Sequence, residues 1–188
     1  MSSHRFSRDY RVNRGEKGAA ILEFAIVLPL LVVFVVGIYD FSGAFNQKQK
    51  IAQAAQEGAI LTGAQPTNDI ASTNANPESL QPVVTAIFNS LTGSGVIATG
   101  ACTLPATATG PVNLKWTYII SCSPDNLVIA IDRGWVGAAG PPVALGTVVT
   151  VSYPYHFRFN SVIQLLLPGA TYAATTNLTE SAAVHTQI

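Results

Sequence analysis

Residues 18–39 read GAAILEFAIVLPLLVVFVVGIY, and this run decides the architecture. Glu23 is its only ionisable side chain apart from the Tyr39 phenol. At ~1.5 Å per helical residue the run is long enough to cross a hydrocarbon core of ~30 Å. A secretory signal peptide has a shorter apolar core, ~7–15 residues, so a signal cut after Ser42-Gly43-Ala44 is the weaker reading. A carboxylate in a lipid-facing helix costs on the order of 2.5–3.5 kcal/mol on insertion scales, and such residues tend to mark function. The plain alternative is that Glu23, near one end of the run, reaches the headgroup interface. Pro29 removes one backbone hydrogen bond and clashes with the carbonyl of Ala25, which predicts a kink. Neighbouring segments can satisfy the freed group inside a bilayer.

Charge is distributed around this run in a telling way. The whole chain is neutral, 48% hydrophobic and only 11% charged. Its first 18 residues hold Arg5, Arg8, Arg11, Arg14 and Lys17 against Asp9 and Glu16. A basic tail before an apolar span predicts a cytoplasmic N-terminus with the remainder outside. With the tail set aside no basic face is left, which argues against nucleic acid as a partner. Membrane lipid is the expected one.

The residues flanking Glu23 sharpen the reading. The stretch from Arg14 to Phe24 resembles a type IV prepilin processing site. In that family a short basic leader ends in Gly, cleavage follows it, and Glu is the fifth residue of the mature chain. The resemblance implies cleavage between Gly18 and Ala19, which makes Glu23 the fifth residue. The new amine at Ala19 of one subunit could then neutralise Glu23 on its neighbour, since a paired buried charge is tolerable where an unpaired one is not. The longer segment GAAILEFAIVLPLL, its continuation GIYDFSGAFNQ and AAQEGA at residues 54–59 resemble TadE-like pilus-assembly proteins. These are minor pilins or pseudopilins of the tight-adherence system. The resemblance covers about residues 14–64 and, less closely, 145–185. Relatives often carry Arg after the Glu-Gly-Ala step and near the C-terminus; here those places hold Ile60 and a neutral end.

Beyond the run, Phe41, Phe45, Ala52, Ala55 and Ala59 recur at helical spacing with Ile51 beside them, and Gln47, Lys48, Gln49, Lys50, Gln53 and Gln56 fill the opposite side. This predicts a helix continuing to about residue 62 that offers its apolar stripe to a globular head. Residues 64–79 form a polar connection. Leu80, Val83, Val84, Ile87, Phe88 and Leu91 predict a second helix with a core-facing stripe, bounded by Pro77 and Gly93. From Gly95 onward the pattern predicts strands near 96–103, 113–122, 126–132, 146–158 and 171–185. Ser123-Pro124-Asp125-Asn126 is a turn signal and residues 137–142 a loop. Residues 162–167 are a short apolar segment, read as a helical turn or a surface-seeking patch. The expected fold is α+β and pilin-like: a long N-terminal helix packed on an antiparallel sheet. The expected divisions are a leader at 1–18, a helix at 19–63 with its transmembrane part at 19–39, and a head at 64–188. Trp116, Tyr118 and Trp135 are expected to serve core packing.

Cys102 and Cys122 fall in two strand-like segments about a hairpin apart. Thiols outside the cytoplasm are exposed to oxidation, so a disulfide is expected, with two buried thiols as the alternative. His4, His156 and His185 have no metal-ligand spacing, and Asp125, Asp132 and Glu78 are scattered. There is no G-x-S-x-G, P-loop, dinucleotide glycine motif or H-E-x-x-H. The expectation is therefore a structural and interaction protein with no catalytic residues, metal or cofactor. The family resemblance implies as partners a prepilin peptidase, a major pilin, a second pseudopilin and the inner-membrane pilus assembly platform. It implies residence in a bacterial inner membrane with a periplasmic head, before entry into a surface pilus. The competing readings are a membrane-anchored extracytoplasmic binding protein that never enters a filament, and a secreted enzyme behind an ordinary signal peptide.

Overall fold

The computed structural model describes residues 14–138, 144–159 and 175–185. Helix α1 spans Arg14–Ala64 with Pro29 inside it. The chain divides within this helix into two compact units, residues 1–39 and 40–188. In the second unit α1 is followed by a 3-10 turn, Glu78–Leu80, and helix α2, Gln81–Gly93. Five strands then complete it: β1 Cys102–Val112, β2 Lys115–Cys122, β3 Leu127–Ala138, β4 Ala144–His156 and β5 Thr175–His185. They form one antiparallel sheet in the order β1-β2-β3-β4-β5. The α+β class and the packing of a long helix on an antiparallel sheet are as expected from the sequence.

Strand alternation decides which face is covered. Trp116, Tyr118 and Ile120 lie opposite Ile131, Ile129 and Leu127 in register, and all six are buried. Val149 and Val151 continue the same rows on β4, and half-buried Leu178, Ala182 and Val184 continue the face on β5. Residues 40–62 of α1 and the stripe Leu80, Val83, Val84, Ile87 and Leu91 cover this face. The other face carries Thr117, Ala130, Thr150 and Ser181 in one row and Ile119, Val128, Ser152 and Thr179 in the next. There Thr150 pairs with Ser181, and Ser152 with Thr179, through hydroxyl hydrogen bonds of 2.9 Å.

The stripe that α1 buries differs from the expected one. Phe41 and Phe45 are 61% and 62% exposed and Ala52 is only partly buried. The buried positions are Asp40, Ala44, Ile51, Ala54, Ala55, Gly58, Ala59 and Thr62. The reason is size. A Cβ added at Gly58 would lie 2.5 Å from Ile87 Cδ1 and 3.3 Å from Val149 Cγ1. The helix backbone sits too close to α2 and β4 for a phenyl ring. Phe41 lies about 100° round the helix from Asp40, on the flank.

Two other expectations shift. The first strand begins at Cys102 and runs to Val112, so residues 96–101 lie outside it. Its Pro105 and Pro111 lie where the β1–β2 register shifts on an edge strand, the kind of place where proline is tolerated in a sheet. Strand β3 continues to Ala138 through an irregularity between Asp132 and Trp135. Its last residues were expected in the loop of residues 137–142, the rest of which is outside the described residues, as is the apolar segment 162–167.

Polar contacts fix the connections. The guanidinium of Arg133 on β3 donates to Thr62 O at 2.8 Å and Gln65 O at 3.3 Å. It thus serves the carbonyl end of α1, whose last turn has no basic residue of its own, as the helix dipole favours. Asp69 accepts from the Ser79 backbone N–H at 2.8 Å and its hydroxyl at 2.7 Å, at the start of the 3-10 turn. Those hydrogen bonds hold the Asp69 carboxyl below its ordinary range. Trp116 Nε1 donates to Asn74 O at 2.9 Å, which ties the same connection to the core. Burial, with a smaller contribution from the Asp69 charge, pushes the Tyr118 phenol up to about 12.

Candidate functional site: the apolar part of the long helix

Residues 18–39 are apolar all round. Ile21, Leu22, Phe24, Ile26, Leu30, Phe34, Val35 and Ile38 are each more than half exposed. None of the most apolar 18-residue window is buried. A helix that is hydrophobic all round belongs in a core or a membrane, and this one is not buried. It is the one helix among the described residues long and apolar enough to cross a membrane. Glu23 is exposed on this surface, and a Cβ at Gly18 or Gly37 would meet nothing within 4 Å. Gly18, Ala19, Glu23 and Pro29 thus share one exposed stretch of helix. The basic tail, residues 1–13, is outside the described residues.

The remaining sequence-derived pair sits in the sheet. Cys102 and Cys122 are opposite each other on β1 and β2 and are bridged, with an S–S distance of 1.94 Å. Closing a loop of 20 residues stabilises the fold by about 3 kcal/mol in the loop-entropy treatment. Trp116 and Tyr118 are buried in the core, while Trp135 lies tilted beside His185 at 6.2 Å.

Two groupings were missed in the sequence. Asp40, the residue after the apolar run, is 2% exposed. Its Oδ2 accepts from the Phe159 N–H, and its backbone carbonyl accepts from the Tyr155 hydroxyl at 3.1 Å. Oδ1 is buried with no partner among the described residues. The signal was available: an acid between Tyr39 and Phe41, in a stretch with no other charge from residue 24 to residue 47. The second grouping joins residues read as scattered. His156 Nε2 meets Asp125 Oδ2, and its Nδ1 lies 3.1 Å from Thr175 Oγ1. An acid, an imidazole and a hydroxyl in line have the connectivity of a nucleophilic triad. Here the imidazole side chain is 53% exposed, so water competes for each contact, and the line serves to tie the β2–β3 turn to β4 and β5. A hollow of about 270 Å³ between the end of α1 and β5 is lined by Ile60, Gly63, Ala64, Val184 and His185. It has a single titratable group. Among the described residues no three His, Cys, Asp or Glu side chains gather as a metal site would need.

Comparison with known proteins adds one finding. No curated protein and no solved structure matches the chain. The family model described as TadE-like protein matches residues 18–59. The match takes in the apolar run, Glu23 and most of the packed part of α1, so this chain carries a TadE-like segment in its N-terminal helix.

Proposed function

We propose that this protein is a minor pilin or pseudopilin of a tight-adherence type IV pilus. A prepilin peptidase removes residues 1–18. The mature chain waits in the bacterial inner membrane as a single-pass protein, with its N-terminus cytoplasmic and its head, residues 64–188, outside. It then takes part in pilus assembly with the major pilin, a second pseudopilin and the inner-membrane assembly platform. The protein contributes surface and charge to this process, with no catalytic step of its own.

The observation that carries the reading is Glu23. It is the lone carboxylate in residues 18–39, the apolar and exposed part of α1, five positions after Gly18 and inside the TadE-like segment. In lipid alone that carboxylate is costly. Beside an amine at residue 19 of a neighbouring helix it is compensated, so Glu23 favours the packed bundle over the lone subunit and helps set its register. The Cys102–Cys122 bridge is in keeping with a head in an oxidising compartment.

The test is Glu23→Val. The variant should insert in the membrane at the wild-type level, because a costly charge has been removed, and piliation should be lost. Normal piliation in that variant would take Glu23 out of the mechanism.

A further inference from the structure

The two phenyl rings that the sequence pattern assigned to the core stand on the surface instead, and they are not isolated. Phe41 and Phe45 are one helical turn apart on α1, on the same face. The Phe41 ring meets the edge of Phe157 at a centroid distance of 6.0 Å, and Phe157 meets Tyr155 at 5.1 Å in the same edge-to-face manner. Asp40 holds this grouping together from beneath: it accepts from the Phe159 N–H and from the Tyr155 hydroxyl, so the exit of β4 is pinned to the helix. Gly43 lets Tyr155 approach, since a Cβ there would lie 2.5 Å from the phenol oxygen. Exposed Arg158 stands between Phe157 and Phe159. The acid of this stretch, Asp40, is turned inward.

We infer that the exposed Phe41, Phe45 and Arg158, backed by the half-buried Phe157 and Tyr155, form a platform that docks the head on the outer surface of the lipid bilayer. The inference rests on the membrane-spanning reading of residues 18–39. Three observations favour lipid over another occupant. Asp40 is covalently bonded to Tyr39, the last residue of the apolar run, so Phe41 and Phe45 follow the span by two and six residues. The chain itself therefore keeps these rings within reach of the headgroup region. Their chemistry suits that region: aromatic rings with an aliphatic helix flank seat at the boundary of headgroups and acyl chains. The exposed Arg158 guanidinium beside them matches phosphate, while the Asp40 side chain is turned away from the surface. Docking holds the head against the bilayer until the subunit is withdrawn, so the Phe41 and Phe45 rings become available to neighbouring subunits only as the helix leaves the membrane.

The experiment uses the full chain reconstituted in bilayers of mainly phosphatidylethanolamine with a minority of phosphatidylglycerol. Nitroxide is attached to Phe45→Cys, to Val112→Cys at the β1–β2 turn and, separately, to Leu30→Cys in the apolar run. The native cysteines are bridged and take no label. Accessibility to oxygen and to a water-soluble nickel chelate is then read at each position. Position 45 should be shielded from nickel and rich in oxygen, at a shallower depth than position 30, while position 112 remains aqueous. Docked molecules should exceed undocked ones about tenfold, and adding Phe41→Ser should reduce that excess severalfold. A nickel-accessible label at 45 with a buried label at 30 overturns the platform and leaves the spanning reading standing. A nickel-accessible label at 30 overturns both. Shielding at 45 from both reagents, with spin–spin broadening, identifies a second copy as the occupant and also overturns the proposal.

Discussion

One helix, α1, lives under two regimes. Residues 18–39 are built from large apolar side chains, and none of their most apolar window is buried. Residues 40–64 bury Ala44, Ala54, Ala55, Gly58 and Ala59, among the smallest side chains available, with Ile51 the one large apolar side chain buried among them. The inversion teaches that hydrophobicity and packing are separate instructions. Where a helix must lie close to a sheet and a second helix, small residues win because backbones approach and every added methyl is felt. Where the surroundings are fluid, bulk costs nothing and total apolar area decides. Side-chain size along α1, more than polarity, therefore marks where protein contact begins.

This contrast can be broken with a pair of identical substitutions. Gly58→Val forces atoms against Ile87, whose Cδ1 would be 2.5 Å from the new Cβ, and against Val149. Overpacking of this kind costs ~1–3 kcal/mol, a loss of up to roughly 10 °C in the head's melting temperature for a chain of this size. Gly37→Val adds the same atoms where nothing lies within 4 Å and should leave the head's melting unchanged. Near-UV circular dichroism of the full chain in detergent reads both. Equal shifts would mean that the two parts of α1 are not packed differently.

A smaller effect tests how the packed part is tied to the connection between α1 and α2. Hydrogen bonds from Ser79 hold the Asp69 carboxyl below its unfolded value of 3.8. A depressed folded-state value means that this contribution is fully present above about pH 4 and is lost as the pH falls through the folded-state value. Asp69→Asn should flatten that part of the acid limb of the melting curve, within about 2 °C at neutral pH, and leave insertion of the apolar part unaltered. An acid limb identical to wild type would assign the loss to other carboxylates.

Much of this was legible in the residues themselves. The apolar run, its acid, the α2 stripe and the strand-forming composition of β2, β3 and β4 are local features that survive folding. The inward and outward assignments on residues 40–64 were not. Phe41, Phe45 and the small residues share helical spacing, and polarity alone cannot say which flank the sheet accepts. Strand β1 was misplaced because its prolines signal a break unless the strand is known to be at an edge. Arg133 at the end of α1 and Asp125 beside His156 join residues 71 and 31 positions apart. Such partners are chosen by topology, which no local period encodes. In the site, Glu23 stood out because it violates its surroundings, whereas Asp40 was passed over because it sits where polarity resumes.

The account stands most directly on where the mature polypeptide begins. Protein purified from membranes of cells that make the cognate peptidase should give Ala19 as its first residue, with an intact mass lower by that of residues 1–18. A mature chain that retains Met1 or Ser2 would instead describe a static anchor, and one that starts near Phe45 a secreted head. Either would contradict a filament subunit whose fifth residue is Glu23.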